Sequence, residues 1–258
     1  MDAVVIAGGI PQEGEPLYEY TQGASKAMLD IAGKPMVQWV LDALSGAETI
    51  ENVVIVGLAE DSDLTCSKIA YFVPNRGDMI ENVRAGVNKT LEVNPKTSHV
   101  IIVSSDVPAI TSEMLDWLVN ASTERDLDLY YTVIERQVME KRFPTSKRSY
   151  VRLKDVEACG GDVNIIRASL ATSDSEIWSR LIDARKNALK QAALIGFDTL
   201  ILLLLHAVTL DRAVDKVTKR LKITGQPILC PFAETGMDVD KPNQLEVLRA
   251  DLIQRSTG

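Results

Sequence analysis

The chain contains few of the residues on which several classes of protein depend. Its 258 residues include only three cysteines, Cys66, Cys159 and Cys230, which lie far apart and form no C-x-x-C pair. Neither a zinc site nor a disulfide framework is indicated, and a reducing compartment is expected. The two histidines, His99 and His206, stand alone in the sequence. Catalysis by paired histidines is therefore an unfavourable interpretation.

Positive charge is also scarce. The chain has 28 lysines and arginines against 36 aspartates and glutamates, which gives a formal net charge of -8. Binding to the phosphate backbone of a nucleic acid needs a cationic face, so this balance argues against a general nucleic-acid binder. A small anionic substrate, held by local groups, is the better interpretation.

Long apolar runs are absent as well. The longest leucine-rich stretch, residues 200–205, lies between Asp198 and His206. It is far shorter than the roughly 20 residues that cross a bilayer, so we expect no membrane span and interpret it as a buried helix or a dimer contact. The start at Met1 lacks the basic and apolar segments of a signal peptide, which predicts a cytoplasmic protein.

Strand-like and helical patterns alternate along the chain. Apolar strand-like runs lie at 3–7, 53–57, 70–73 and 99–103, with helical stripes between them. This alternation predicts an α/β fold with a mostly parallel sheet and helices on both faces. Further strands are predicted at 129–134, 150–153, 163–166 and 227–230. We expect a single domain over 1–258, with a helical insertion at about 171–222.

Two glycines follow the first predicted strand, which is apolar throughout. Gly8 and Gly9 come directly after Ala7. Because a glycine lacks a Cβ, backbone amides at such a strand end can approach an anion closely, so the run indicates a phosphate site. A simple tight turn would give the same two residues, and the downstream lysine Lys26 is the first sign against that alternative. A lysine there would add a compact positive charge for a phosphate, although a solvated loop lysine is the alternative.

Acidic residues follow two later segments. The segment Ser104-Ser105-Asp106 directly follows the apolar run at 100–103, which places Asp106 at the strand end where open α/β sheets bind ligands. Asp238 and Asp240 precede the last predicted helix and would face the same side of an extended chain. Carboxylates beside a phosphate loop suit Mg²⁺, which prefers oxygen ligands. Both could face the metal, or Asp240 could bind it while Asp238 orients its neighbours; each acidic element could instead cap a turn or helix.

Five motifs in order carry a resemblance that spans nearly the whole chain. They are Ala-Gly-Gly at 7–9, the lysine at 26, Ile-Ala-Gly-Lys-Pro at 31–35, Ser-Asp-Val-Pro at 105–108 and Met-Asp-Val-Asp-Lys-Pro at 237–242. Together they resemble the nucleotidyltransferase superfamily, and within it the MobA-like molybdenum-cofactor guanylyltransferases. The resemblance implies a Rossmann-like three-layer α/β/α fold akin to glycosyltransferase type A. It also implies transfer of a nucleotide from an NTP to a phosphorylated acceptor, with release of pyrophosphate.

The resemblance also implies roles for individual residues. Ala7, Gly8 and Gly9 would contact the nucleotide, Lys26 the phosphates, and Asp106 with Asp240 the Mg²⁺. Lys26 and Asp106 would be the catalytic residues. The segment Gly77, Asp78 and Met79, with Asn82 on the next helix, resembles the part that contacts the base, which would be that of CTP or GTP. Residues 160–164 resemble the strand start that lines the acceptor pocket.

One position departs from the family. Members usually carry an arginine four residues after the second glycine, and this chain has Glu13 there. A carboxylate would repel the triphosphate, so either the loop directs Glu13 to solvent or nucleotide binding is weakened. Arg148 could hold the acceptor's phosphate, although a solvated surface charge is the favoured interpretation. A homodimer is compatible with the sequence.

Glu13 motivates a second hypothesis, a nucleotide-binding regulator that kept the fold and lost catalysis. A third, a dinucleotide-dependent oxidoreductase, lacks the third glycine of its G-x-G-x-x-G pattern. Nucleotidyl transfer remains the leading hypothesis, since such reactions are catalysed by positioning and electrostatics and need no histidine or cysteine nucleophile.

Overall fold

A computed structural model of the chain describes residues 1–68, 70–171 and 194–257. Its strands are β1 Asp2–Ile6, β2 Asp30–Ile31, β3 Lys34–Pro35, β4 Val53–Val56, β5 Ala70–Val73, β6 His99–Ser104, β7 Leu129–Glu135, β8 Val151–Arg152, β9 Glu157–Gly160, β10 Val163–Arg167 and β11 Gly225–Leu229. Its α-helices are α1 Tyr18–Thr21, α2 Met36–Gly46, α3 Met79–Val93, α4 Ser112–Ala121, α5 Arg136–Arg142, α6 Phe197–Leu204, α7 Leu210–Leu221 and α8 Pro242–Thr257.

Nine of these strands form one sheet in the order β5-β4-β1-β6-β10-β7-β9-β8, and β11 pairs with β7. The pairings β1 with β4, β1 with β6, β4 with β5 and β7 with β11 are parallel. Only β9 and β10 run against the other strands of this sheet. The prediction of a mostly parallel sheet is therefore confirmed, and β1, β4, β5 and β6 all end at one edge.

Helices cover both faces of the sheet, as predicted. On one face Ala3 and Val5 of β1 pack in a core that contains Val37, Val40, Leu41 and Leu44 of α2, all fully buried. On the other face Val4 packs in a core with Val83 and Val87 of α3. These two sets of alternate residues on one strand show why β1 is apolar at every position. The result is the expected three-layer α/β/α arrangement.

Close packing of α3 on the sheet depends on Gly86. A Cβ at this position would lie 2.3 Å from Val4 Cγ1 and 2.9 Å from Val56 Cγ2. No side chain fits in that space, so the helix can approach β1 and β4 only because residue 86 has none. The approach fixes the start of α3 beside the carboxyl ends of these strands.

A third core joins the last helix to the middle of the chain. Leu245, Leu248 and Leu252 of α8 are buried with Met139 and Phe143, which belong to α5 and the residue after it. This spacing is the predicted helical stripe. It holds the segment before α8 against the same edge of the sheet at which β1 and β6 end.

Several short elements were not predicted. They are the helices α1 and α5 and the strands β2, β3 and β9. The strand predicted at 150–153 is limited to Val151–Arg152. Of the predicted helical insertion, α6 and α7 are helices as expected, while residues 172–193 lie outside the part that the structure describes. The boundaries of the insertion remain a prediction.

The leucine-rich run is not a buried helix. Ile201, Leu204 and Leu205 are 57%, 79% and 66% exposed. Among the described elements α6 contacts α7, and this contact leaves these three side chains largely exposed. The interpretation as a dimer contact remains a prediction. Among the described residues, no helix combines the length and the apolarity that a membrane crossing needs.

Candidate nucleotide site

The loop after β1 is closed by the segment that carries Lys26. The Lys26 amide donates to the Gly9 carbonyl at 2.9 Å, and the Ser25 hydroxyl donates to the Ala7 carbonyl at 3.2 Å. The polar stretch between the loop and β2 therefore folds back over the strand end, as the sequence predicted. Ala7 itself is 1% exposed, below the surface that Gly8 and Gly9 form.

The atoms around Gly8 leave no room for a Cβ at this position. A Cβ on Gly8 would lie 2.5 Å from Asn82 Nδ2 and 2.9 Å from Asn75 Oδ1. Gly57, which follows β4 with a φ of +105°, would bring its own Cβ within 2.4 Å of the Gly8 Cα. Around Gly9 only Lys26 Cε, at 3.9 Å, comes near such a Cβ. Gly8 is thus a packing glycine, and Gly9 is the one that leaves open space.

The turn between β5 and α3 is fastened to this loop by two asparagines. Asn75 Nδ2 donates to the Gly8 carbonyl at 2.8 Å, and Asn75 Oδ1 accepts from the Gly77 amide at 2.9 Å and from Asn82 Nδ2 at 3.1 Å. Asp78 caps α3 by accepting from the Glu81 amide at 2.9 Å. The sequence analysis named Gly77, Asp78 and Asn82 but missed Asn75, which joins them to the glycine loop.

Asp106 lies two residues beyond the end of β6. Its side chain accepts a 2.5 Å hydrogen bond from the Ser104 hydroxyl, and its carbonyl accepts from the Val239 amide at 2.9 Å. The second bond ties the segment of Asp238 and Asp240 to the end of β6. Asp106, Asp238 and Asp240 therefore meet, and each offers a carboxylate oxygen within 4.8 Å of the others.

Lys26 lies between two of these carboxylates. Its Nζ is 2.6 Å from Asp106 Oδ2 and 2.8 Å from Asp240 Oδ1. Burial alone would lower the pKa of Lys26, but the Coulombic attraction of Asp106 and Asp240 outweighs it and raises that pKa above its usual value. Burial likewise opposes ionisation of Asp240, yet the charge of Lys26 lowers the pKa of this carboxyl. Lys26 therefore stays protonated and paired with two carboxylates, which excludes the alternative of a solvated loop lysine.

Arg148 balances the other side of the cluster. It donates to the Asp238 carboxylate and lies 3.7 Å from Asp162 Oδ2. Its side chain is only 15% exposed, so the favoured interpretation of a solvated surface charge is wrong. The long loop after α5 folds inward and carries it to the sheet edge.

Asp162, between β9 and β10, extends the cluster. Burial raises the pKa of the Asp162 carboxyl to about 8, and repulsion by Asp238 and Asp106 acts in the same direction. Burial also raises the pKa of Asp238, against the attraction of Arg148. Four carboxyl groups with two cations leave this edge of the sheet short of positive charge.

A divalent cation fits this donor set. Mg²⁺ takes oxygen ligands at about 2.1 Å, so one ion spans oxygens about 4 Å apart. The three oxygens of Asp106, Asp238 and Asp240 are close to that spread. Carboxylates are also the hard ligands that Mg²⁺ prefers.

Most of the site residues named from the sequence line one cavity of about 600 Å³. They are Gly8, Gly9, Lys26, Gly77, Asp78, Met79, Asn82 and Asp106. Asp240 lines a neighbouring cavity of about 510 Å³, which shares Gly9, Ile10 and Lys26 with the first. Eight of the residues named from the sequence thus surround one space, and Ala7 lies beneath it.

Glu13 lines neither cavity. It is exposed, in a turn in which the Glu15 amide donates to the Gln12 carbonyl at 3.0 Å. Gly14 has a φ of +91° in the same turn. The loop therefore directs Glu13 to solvent, one of the two outcomes that the sequence left open.

Comparisons with known proteins show the family of this chain. The family model described as the MobA-like NTP transferase domain matches residues 3–177. The chain belongs to this family. The MobA-like chain is 30% identical to a hypothetical transferase structure from Thermus thermophilus, with a TM-score of 0.79 over 95% of this chain and 98% of that one.

More distant relatives share the fold. A CMP:2-keto-3-deoxy-manno-octonic acid synthetase complexed with CTP is 16% identical, with a TM-score of 0.54 over 98% of the MobA-like chain and 99% of its own. The bifunctional protein GlmU of Thermoanaerobacter pseudethanolicus is 28% identical over 101 residues, 37% of this chain. That match spans 21% of the GlmU length. At 16% identity, the synthetase shows that its fold is shared by this chain.

Proposed function

We propose that this MobA-like chain transfers a nucleoside monophosphate from an NTP to a phosphorylated small molecule and releases pyrophosphate. One observation carries the proposal: Lys26, Asp106 and Asp240, from three distant parts of the sequence, meet beside the open face of Gly9. A cation, a set of carboxylates and a glycine loop at the carboxyl ends of parallel strands are the parts that a nucleoside triphosphate requires.

The reaction needs no nucleophile from the protein. An oxygen of the acceptor phosphate attacks the α-phosphorus, the bond from that phosphorus to the β-phosphate oxygen breaks, and that oxygen leaves with pyrophosphate. Burial raises the pKa of the Cys159 and Cys230 thiols, so neither is suited to act as a thiolate. His99 lies at the opposite end of β6, and His206 bonds the Arg152 carbonyl. The chemistry would rest on positioning and charge.

Each part of the site has a place in this proposal. Lys26 would hold the phosphates and stabilise the charge that develops on them. Asp106 and Asp240, with Asp238 beside them, would hold a Mg²⁺ ion, which supplies positive charge to the phosphate oxygens when it is bound. Gly77, Asp78 and Asn82 would contact the base, for which CTP and GTP are the candidates.

The acceptor would bind on the other side of the carboxylates. Gly160 accepts a hydrogen bond from Arg148 at 3.4 Å, and Asp162 follows at the turn into β10. Since Arg148 is already paired with Asp238 and near Asp162, it would hold a phosphate only by sharing its guanidinium. The phosphate of the acceptor must approach four carboxyl groups. The acceptor would therefore be compact and carry few further negative charges.

The experiment is a panel of the four NTPs against sugar phosphates, polyol phosphates and phosphorylated pterins, with pyrophosphate release as the measurement. Thermal shift with and without Mg²⁺ reports binding separately, because a ligand of the folded state raises its stability. We expect one NTP to stabilise the protein selectively with Mg²⁺ and to yield pyrophosphate with one acceptor class. Selective NTP binding without pyrophosphate from any acceptor would favour the regulator hypothesis instead.

A further inference from the structure

Lys26 lies where a divalent cation would have to bind. Its ammonium is within 2.8 Å of one oxygen from each of Asp106 and Asp240. These carboxylates belong to the only group of three metal-capable side chains found within the described ranges. An ammonium and a metal ion held on the same oxygens would repel each other at short range, so the lysine and the cation compete for them.

The surroundings keep the lysine in place. The Lys26 and Asp106 side chains are only 16% and 12% exposed, so their attraction is weakly screened by water. If a free metal ion entered, it would push the ammonium away from its carboxylate partners toward the two cavities. The other carboxylates that line them, Asp78 in the first and Glu15 in the second, are already engaged, since they accept hydrogen bonds from the Glu81 and Gln12 amides.

A nucleotide would supply the missing anion. Lys26 lines both cavities, so its side chain borders the carboxylates and the space beside Gly9. Its backbone is held by the bond from its amide to the Gly9 carbonyl, so only the side chain has to move. A triphosphate beside the loop could accept the ammonium while the metal takes over the carboxylates.

We infer that the protein takes its divalent cation as a complex with the nucleotide, because Lys26 is the resident counter-ion of the carboxylates until phosphate oxygens accept it. This inference rests on the proposed function for the identity of the anion. Its thermodynamic consequence is reciprocal: the nucleotide strengthens metal binding, and the metal strengthens nucleotide binding, by the same factor.

Mn²⁺ binding, followed by electron paramagnetic resonance of the free ion, tests the inference without catalysis. The titrations use wild-type protein and Lys26→Met, which keeps the length of the side chain and removes its charge. The matched control is Lys216→Met, whose ammonium also lies 2.6 Å from an aspartate oxygen, that of Asp198, on the surface. Each titration is run alone and with the α,β-methylene analogues of CTP and GTP. Circular dichroism verifies that each variant is folded.

Without nucleotide, we expect Lys26→Met to bind Mn²⁺ about tenfold more tightly than wild type, and Lys216→Met to match wild type. With the analogue, wild type should gain affinity for Mn²⁺ by at least about tenfold over the variant's gain. Unchanged Mn²⁺ affinity in Lys26→Met would overturn the inference. Tighter Mn²⁺ binding by Lys26→Met, together with the same gain in affinity from the analogue as in wild type, would also overturn it. That result would mean that Lys26 repels the metal without being exchanged for it.

The inference and the proposed function can fail separately. If no acceptor yields pyrophosphate, the coupling between Mn²⁺ and the analogue is still measured. If neither analogue binds, the proposed anion is wrong, while the nucleotide-free titrations still show whether Lys26 competes with the metal.

Discussion

Asp2 and Asp106 are buried carboxylates at opposite ends of the paired strands β1 and β6, and different groups surround them. Asp2 accepts hydrogen bonds from Asn52 at 2.7 Å, from Asn94 at 3.0 Å and from the Thr97 hydroxyl. All three donors are neutral, and they come from the loops that β1 must hold together. Within the described part of the chain, no further carboxylate or cation takes part in this group of bonds.

At the other end, Asp106 is bound by a cation and one hydroxyl, and it faces further carboxylates. The neutral donors around Asp2 include no cation that a ligand could displace. Lys26, between Asp106 and Asp240, is a cation that another cation could displace. Asp2 and Asp106 are similarly buried, so burial does not distinguish them. The charge of their partners does, since neutral donors indicate a structural carboxylate and a cation indicates one that is proposed to bind a ligand.

The largest expected effect is that of Asp106→Asn on turnover. We expect pyrophosphate release to fall by about 100-fold or more, since the variant loses a proposed metal ligand and a negative partner of Lys26. The free energy of unfolding should be unchanged or higher, because one of several repelling carboxylates is removed. Kinetics and urea denaturation measure the two effects. Asp42→Asn, which removes the partner of Lys34 on the surface, is the control and should change neither.

Asp2→Asn should give the opposite result. The new amide group would face donors instead of accepting from them, so we expect the free energy of unfolding to fall by about 2 kcal/mol. Turnover per folded molecule should remain that of wild type, because the site lies at the far end of β1. Urea denaturation and active-site-normalised kinetics are the measurements. A large loss of turnover at full folding would mean that the two ends are not independent.

The smallest effect concerns Asp116 of α4, near the amino end of β1. Burial alone would raise its pKa, but bonds from the Thr49 hydroxyl and from the Thr49 and Glu48 amides lower it below its usual 3.8. The stabilisation is therefore present above pH 3.8 and lost as pH falls through the lower, folded-state value. Asp116→Asn should cost less than about 1 kcal/mol at pH 7.

The cost of Asp116→Asn should shrink as the pH falls from 3.8, where the carboxyl of the unfolded chain becomes protonated, through the lower pKa of the folded state. Urea denaturation at pH 7, 5 and 3 measures this trend. The exposed Glu124→Gln serves as a control for general charge effects. A cost that stays constant with pH would show that the hydrogen bonds do not depend on the charge of Asp116.

The parts of the site that could be predicted are those set by a strand and the residues just after it. Gly8, Gly9 and Asp106 follow apolar strands, and parallel strands bring their ends together, so their proximity follows from the fold class. Lys26 was assigned to the site only because the other motifs accompany it in the sequence. Its contacts with both Asp106 and Asp240 depend on distant chain segments.

The contacts that could not be predicted depend on long-range packing. Asn75 bonds the carbonyl of Gly8, 67 residues away, and Arg148 bonds Asp238, 90 residues away. Nothing near either residue in the sequence indicates its partner. The leucine-rich run was misjudged for a similar reason, since composition cannot show which side of a short helix finds a neighbour.

The bond from the Val239 amide to the Asp106 carbonyl has a consequence for synthesis of the protein. It joins residues 133 positions apart (239 minus 106). Closing so long a loop has a substantial entropic cost and occurs late in folding. While a ribosome is still adding residues before position 240, the strands from β1 to β6 can already pair, yet the carboxylate trio is incomplete. A partly made chain would therefore carry the glycine loop and Lys26 without the full set of carboxylates, and the site would be complete only once residue 240 has been added.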